Sequence, residues 1–97
     1  MSSDLLPESC RGWLGIALAN QARDDDFITL LTDVRITSLE MAEAFERAIK
    51  RYAQDAMDEE RKAIYARFYT SRDRCEATAK QADEAMERLN KFPPYPD

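Results

Sequence analysis

Apolar side chains recur at helical spacing along most of the chain, and polar punctuation divides them into four predicted helices. In the first, Leu6, Cys10, Trp13, Leu14, Ala17 and Leu18 fall on one face, which predicts a helix from about residue 7 to 22 with Pro7 in its first turn. Gly12 and Gly15 inside it each cost about 1 kcal/mol relative to alanine. They either weaken the helix or, with Ala19 and Ala22, form a narrow stripe for close approach of another helix. Asp24-Asp25-Asp26 then supplies an N-cap and acidic groups suited to the positive end of a helix dipole. Phe27, Leu30, Leu31 and Val34 give the apolar face of a second helix over 27–35.

The third start is the strongest local signal. Thr37-Ser38-Leu39-Glu40 reads as a capping box, with Ile36 and Met41 at the two positions of a hydrophobic staple. Ala42, Phe45, Ile49, Tyr52 and Ala56 continue from it as the seam of a packed helix. The next apolar set, Ile64, Phe68, Cys75, Ala79, Ala82, Met86 and Leu89, is one residue out of phase with that seam. Asp58, Glu59 and Glu60 resemble a new first turn. A break near 55–58 and a last helix to about Lys91 follow, in preference to one rod of more than fifty residues and roughly 80 Å. Pro93, Pro94 and Pro96 end the helix in a short extended tail, 93–97, outside a single helical domain, 1–92. The Pro93–Pro96 spacing also suits a proline-recognising groove, although stopping a helix already accounts for it. The expected architecture is all-α: a small bundle of about four helices, with a hairpin made by the two longest. The alanine seam of the last helix (Ala79, Ala82, Ala85) suggests completion by a second copy.

Composition narrows the function classes. Ninety-seven residues make one domain. The two glycines leave few tight turns for a sheet protein. Without histidine there is no Ser-His-Asp or Cys-His arrangement in the chain, and the commonest metal ligand is missing. Two cysteines cannot build a four-thiolate site, and the aspartate run lacks the glycine and terminal glutamate of a calcium loop. No enzyme, metal or cofactor is therefore expected. The N-terminus carries acid where a signal peptide needs base, and the longest apolar run, 13–19, is too short to span a bilayer. A cytoplasmic setting follows, with Cys10 and Cys75 as free thiols.

Charge is unevenly placed. Residues 1–46 hold nine acids and three bases (net −6), residues 47–74 five acids and eight bases (net +3), and residues 75–97 five acids and three bases (net −2). Six acid-to-base pairs at i,i+4 (Glu43–Arg47, Glu46–Lys50, Asp58–Lys62, Glu76–Lys80, Glu84–Arg88, Glu87–Lys91) explain much of this as solvated helix surface, each worth about 0.2–0.5 kcal/mol. The basic middle interleaves cations with aromatics: Arg61, Lys62, Tyr65, Arg67, Tyr69, Arg72 and Arg74 are the candidate residues for a partner or ligand. Asp24, Asp25, Asp26 and Asp33 are candidates to face a basic partner.

Arginine and aromatic side chains beyond the needs of a core are the usual anchors of protein interfaces. The expected function is thus contact with another protein, by a homodimeric regulator, inhibitor or adaptor of the anti-activator or phage-borne modulator kind. The alternative is a binder of a phosphate-bearing ligand, nucleotide or RNA, through 61–74. A third reading is a structural assembly subunit.

Overall fold

In the computed structural model, which describes residues 5–52 and 58–96, the chain forms three helices: α1 (Glu8–Asn20), α2 (Asp25–Tyr52) and α3 (Glu59–Leu89). The class is all-α, and the two longest helices form the expected hairpin. The four-helix count is corrected: the second and third predicted helices are one. Phe27, Leu31, Val34, Ser38, Ala42, Phe45 and Ile49 keep a continuous 3-4 spacing, and all are buried or half-buried. No glycine or proline interrupts 25–52, so nothing stops the helix at the apparent capping box. Thr37 is an exposed mid-helix residue and Ser38 is buried on the seam. The cap of α2 is instead Asp24, whose Oδ1 accepts the N–H groups of Asp26 (3.0 Å) and Phe27 (3.3 Å).

α3 has the more regular seam. Tyr65, Phe68, Arg72, Cys75, Ala79, Ala82, Met86 and Leu89 alternate at spacings of three and four, and each is buried or half-buried. Asp58 caps it, accepting the Arg61 N–H at 2.8 Å. The expected break at 55–58 falls mostly on residues outside the described ones, as does Ala56 of the predicted seam; the helices on either side end at Tyr52 and begin at Glu59.

Four cross-hairpin contacts fix an antiparallel register. Thr32 Oγ1, which donates to the Ile28 carbonyl, lies 3.3 Å from Met86 Sδ; Arg35 donates to Asp83 (3.1 Å), Arg72 to Glu46 (2.8 Å), and the Tyr65 hydroxyl to the Ile49 carbonyl (2.9 Å). The six anticipated i,i+4 pairs do not form among the described residues. Glu46 turns across to Arg72, Lys62 pairs with Glu59 at 3.5 Å, and Asp58 is spent on the cap.

α1 follows Pro7, its N-cap, and ends in a left-handed residue, Gln21 (φ 50°). The Gln21 N–H donates to Leu18 O and the Ala22 N–H to Ala17 O, the pattern of a Schellman motif. Gly12 and Gly15 face solvent, and beyond the backbone of α1 itself no atom of the described residues lies within 4 Å of where a Cβ would stand. The close-approach stripe proposed for them is therefore not formed.

The other face of α1 meets the hairpin. Leu6, Cys10, Leu14 and Ala17 bury against Phe27, Leu31, Ala82, Ala85 and Leu89. The Trp13 ring stacks on Phe27 at 4.8 Å and its Nε1–H donates to Asp24 Oδ2 at 3.0 Å. Burial pushes the Cys10 thiol pKa up. The expected tail is strapped to the α1–α2 link: Arg23 N–H donates to Pro93 O and Tyr95 N–H to Arg23 O, both at 2.8 Å. The molecule is long and thin, 59 × 19 × 17 Å.

Candidate functional site

The main apolar cluster stops part-way along the hairpin; beyond it, among the described residues, Ala42, Ile49 and Ala79 are the buried apolar side chains. Every member of the main buried cluster, and every apolar side chain packed on it, lies within residues 6–34 or 82–92. From Ser38 to Tyr52, α2 runs about 21 Å further at 1.5 Å per residue, beside α3 but with no third helix among the described residues. Leu39 (43% exposed), Met41 (48%), Ile64 (47%) and Tyr69 (40%) belong to this outer half.

Residues seven apart on these helices share a face, so the rows that α1 covers can be followed outward. Val34 packs on the core and Ala85 is part of it. At the start of α1, Leu5 and Pro7 meet Asp33, Val34, Thr37, Ser38 and Thr78 around an open hollow of about 340 Å³, and the Leu5 N–H donates to Gln81 Oε1 at 3.1 Å. Beyond that hollow the floor rows continue as Met41 and Ala48 on α2 and as Ser71 and Ile64 on α3. The rim rows continue from Thr37 to Ala44 and Arg51, and from Gln81 to Arg74 and Arg67. The rings of Phe45 and Phe68, 6.1 Å apart and half-buried, close the seam between the helices. This register outlines a groove, with Met41, Ala48, Ser71 and Ile64 along its floor and Arg51, Arg67 and Arg74 on its flanks. Arg51, Arg67 and Arg74 form no ion pair among the described residues.

The opposite side of the hairpin differs. Leu39 lies in the row of Thr32 and Glu46, and Lys62 and Tyr69 lie in the row of Asp83. The Tyr69 ring meets Tyr65 edge-on at 5.3 Å, and the Arg72 guanidinium stands over it at 5.1 Å. The hydrogen bonds that Arg72 donates to Glu46, then to Asp73, raise its pKa and hold it charged. Desolvation, then the neighbouring Tyr69 hydroxyl, pushes the Tyr65 phenol up.

The seven basic and aromatic candidates are thus distributed over separate faces. Arg61 and Lys62 are exposed in the first turn of α3, at the hairpin end that also holds Arg47, Lys50 and Arg51. Tyr65 and Arg72 are turned onto α2, Tyr69 lies on one side, and Arg67 and Arg74 line the groove on the other. Of the acidic candidates, Asp24 is engaged through both carboxylate oxygens, and Asp25 pairs with Arg23 at 3.0 Å. Asp26 and Asp33 are exposed. Asp24, Asp25 and Asp26 border an open hollow of about 330 Å³ with Arg23, Pro94 and Tyr95.

Met41 and Ile64 carry the floor of the groove, and sequence reasoning assigned them elsewhere, as a staple and as core. The signal for Ile64 was present: the strict register from Tyr65 to Leu89 leaves it outside the seam. Among the described residues no three cysteine, aspartate or glutamate side chains gather as a metal site, and no helix is long and apolar enough to cross a membrane. Comparison with protein-family models, with curated proteins and with solved structures finds no match, so the functional reading rests on the residues of this chain.

Proposed function

We propose that this chain is a non-enzymatic binding protein that acts by protein–protein contact, as a small regulator or inhibitor of the protein it grips. One observation supports the reading above the rest. The main apolar cluster sealed by α1 ends at Val34 and Ala82, while the hairpin continues with Met41 and Ile64 exposed on the side that α1 covers and Leu39 and Tyr69 exposed on the opposite side. A helix pair normally buries its apolar stripe against another element, and here large apolar side chains are left open on both sides of the outer hairpin. The arginines and tyrosines there are of the type that anchors interfaces.

Dimerisation belongs to the same proposal, but not through the expected alanine seam, since Ala79, Ala82 and Ala85 are buried within the chain; the side offered is the one that carries the exposed Ile36 and Leu39, leaving the groove beside α1 free. Sedimentation tests it: a dimer that Leu39→Glu converts to monomer supports it, a wild-type chain monomeric at every concentration removes it, and particles larger than a dimer point to an assembly subunit. A cytoplasmic setting, in which Cys10 and Cys75 stay as thiols, completes the proposal.

The test of function is retention of partners from native lysate by the tagged chain, with and without nuclease, beside a Met41→Glu/Ile64→Glu variant. One stoichiometric protein that survives nuclease and is lost with the variant is the expected result. Nucleic acid or a nucleotide retained without protein overturns it in favour of the phosphate-binding alternative. The division of residues 61–74 among several faces speaks against that alternative.

A further inference from the structure

We propose that the groove beyond α1 receives an acidic amphipathic helix from a partner protein, laid end to end with α1. The inference rests on the reading that the outer half is the working surface, and it names what that half holds.

The covered part of the hairpin shows what its floor accepts. There the rows of Val34 and Ala85 are filled by a helix whose apolar stripe is Leu6, Cys10, Leu14 and Ala17. The same rows present Met41 and Ala48, and Ser71 and Ile64, in the outer half. Two large apolar side chains stand there as contacts, and two small ones allow close approach of a backbone. The length agrees: about 21 Å of α2 lies beyond Ser38, against about 20 Å for the 13 residues of α1. A helix in a groove with anchors at helical spacing is the recognition mode this shape serves.

The rim specifies the charge. Where α1 begins, the two rim rows carry the neutral Thr37 and Gln81; outward they carry Ala44 and Arg51 on α2, and Arg74, Arg67 and finally the exposed Glu60 on α3, with none of the three arginines ion-paired among the described residues. Arginine forks favour carboxylates, so aspartate or glutamate on both flanks of the incoming helix matches them. A second copy of this chain fits the groove less well. A two-fold contact through one face sets that face against itself, and brings the arginines of each rim toward their own copies. A phosphate backbone finds the cations but nothing to bury on Met41 and Ile64.

The test uses the full chain and two 16-residue peptides with the same apolar stripe, spaced as Leu6, Cys10, Leu14 and Ala17. One peptide has glutamate flanks, the other lysine flanks. Expected is binding of the glutamate peptide at least about tenfold tighter than its lysine twin, weakening with added salt. Amide shifts should be confined to residues 41–51 and 64–74. Arg67→Glu/Arg74→Glu, two exposed substitutions whose thermal melt reports retention of fold, should reverse the preference. Equal binding of the two peptides, no binding, shifts on α1 or on the Tyr69 side, or a dimer that closes the groove and is lost on Ile64→Glu would each overturn the proposal. If the peptides fail while a lysate partner is still lost with Met41→Glu/Ile64→Glu, the acidic-helix assignment falls and the protein-contact reading stands. If both fail, both fall.

Discussion

At the scale of single residues, the chain places its helix-breaking and left-handed positions in an unusual way. Both glycines lie inside α1, with open space around them, while Gln21 takes the left-handed position after it at φ 50°, where glycine is the common choice. Helix-interior glycine costs roughly 0.5–1 kcal/mol against alanine, and a side chain in the left-handed region costs about 1–2 kcal/mol. Gly12→Ala, Gly15→Ala and Gln21→Gly should therefore each raise stability, by about 0.5–1 kcal/mol, read from urea midpoints at unchanged slope. A loss from either alanine would mean that the outer face of α1 is packed against something. The two apparent caps give a second prediction, with opposite signs. Asp24→Ala removes the acceptor for two backbone N–H groups and for Trp13, and should cost about 1–2 kcal/mol. Thr37→Ala should be neutral or stabilise by up to about 0.7 kcal/mol, because Thr37 sits in mid-helix and alanine is the better helix former. A Thr37 cap would show up as a loss near 1 kcal/mol.

At the scale of elements, α3 and the hairpin were legible in the sequence and the length of α2 was not. The seam of α3 is apolar at nearly every position, so its phase, and its offset from the seam of α2, predicted a turn between two long helices. In α2 the seam passes through Ser38 and Ala42, a polar and a small residue, so the apolar pattern faded just where a good capping sequence stood. A local signal then outweighed a phase that had never changed. The groove was harder to read, because its floor residues are apolar like the core and only the short reach of α1 leaves them open. Close packing of the hairpin beside α1 rests on Ala79, Ala82 and Ala85, all at most 3% exposed. Ala82, fully buried against Leu31 and α1, has no room for three more carbons. Ala82→Leu should destabilise by about 1–3 kcal/mol through overpacking, whereas the same change at the exposed Ala66 should leave the thermal midpoint nearly unchanged. Equal tolerance at both would mean that the seam is looser than its burial implies.

At the scale of the whole molecule, the two halves are held by different amounts of structure. The half containing α1 combines three helices, a stacked Trp13–Phe27 pair and a tail strapped to Arg23. The outer half has one seam between two helices, and several of its side chains, Tyr65 and Phe68 among them, are only half-buried. Regions with few buried apolar contacts open locally at lower free energy than the core, and a partner helix in the groove would supply the third wall that α1 supplies elsewhere. Amide exchange should therefore be graded along each long helix. Leu31, Ala82 and Leu89 should exchange only through global unfolding, and Ala48 and Phe68 roughly ten- to a hundredfold faster, through an opening that depends little on urea. The glutamate-flanked peptide should slow exchange of Ala48 and Phe68 first, by stabilising the closed form through mass action. Uniform protection from Leu31 to Ala48 would show that the hairpin opens as one unit, and the outer half would then be a rigid arm rather than a surface completed by what it binds.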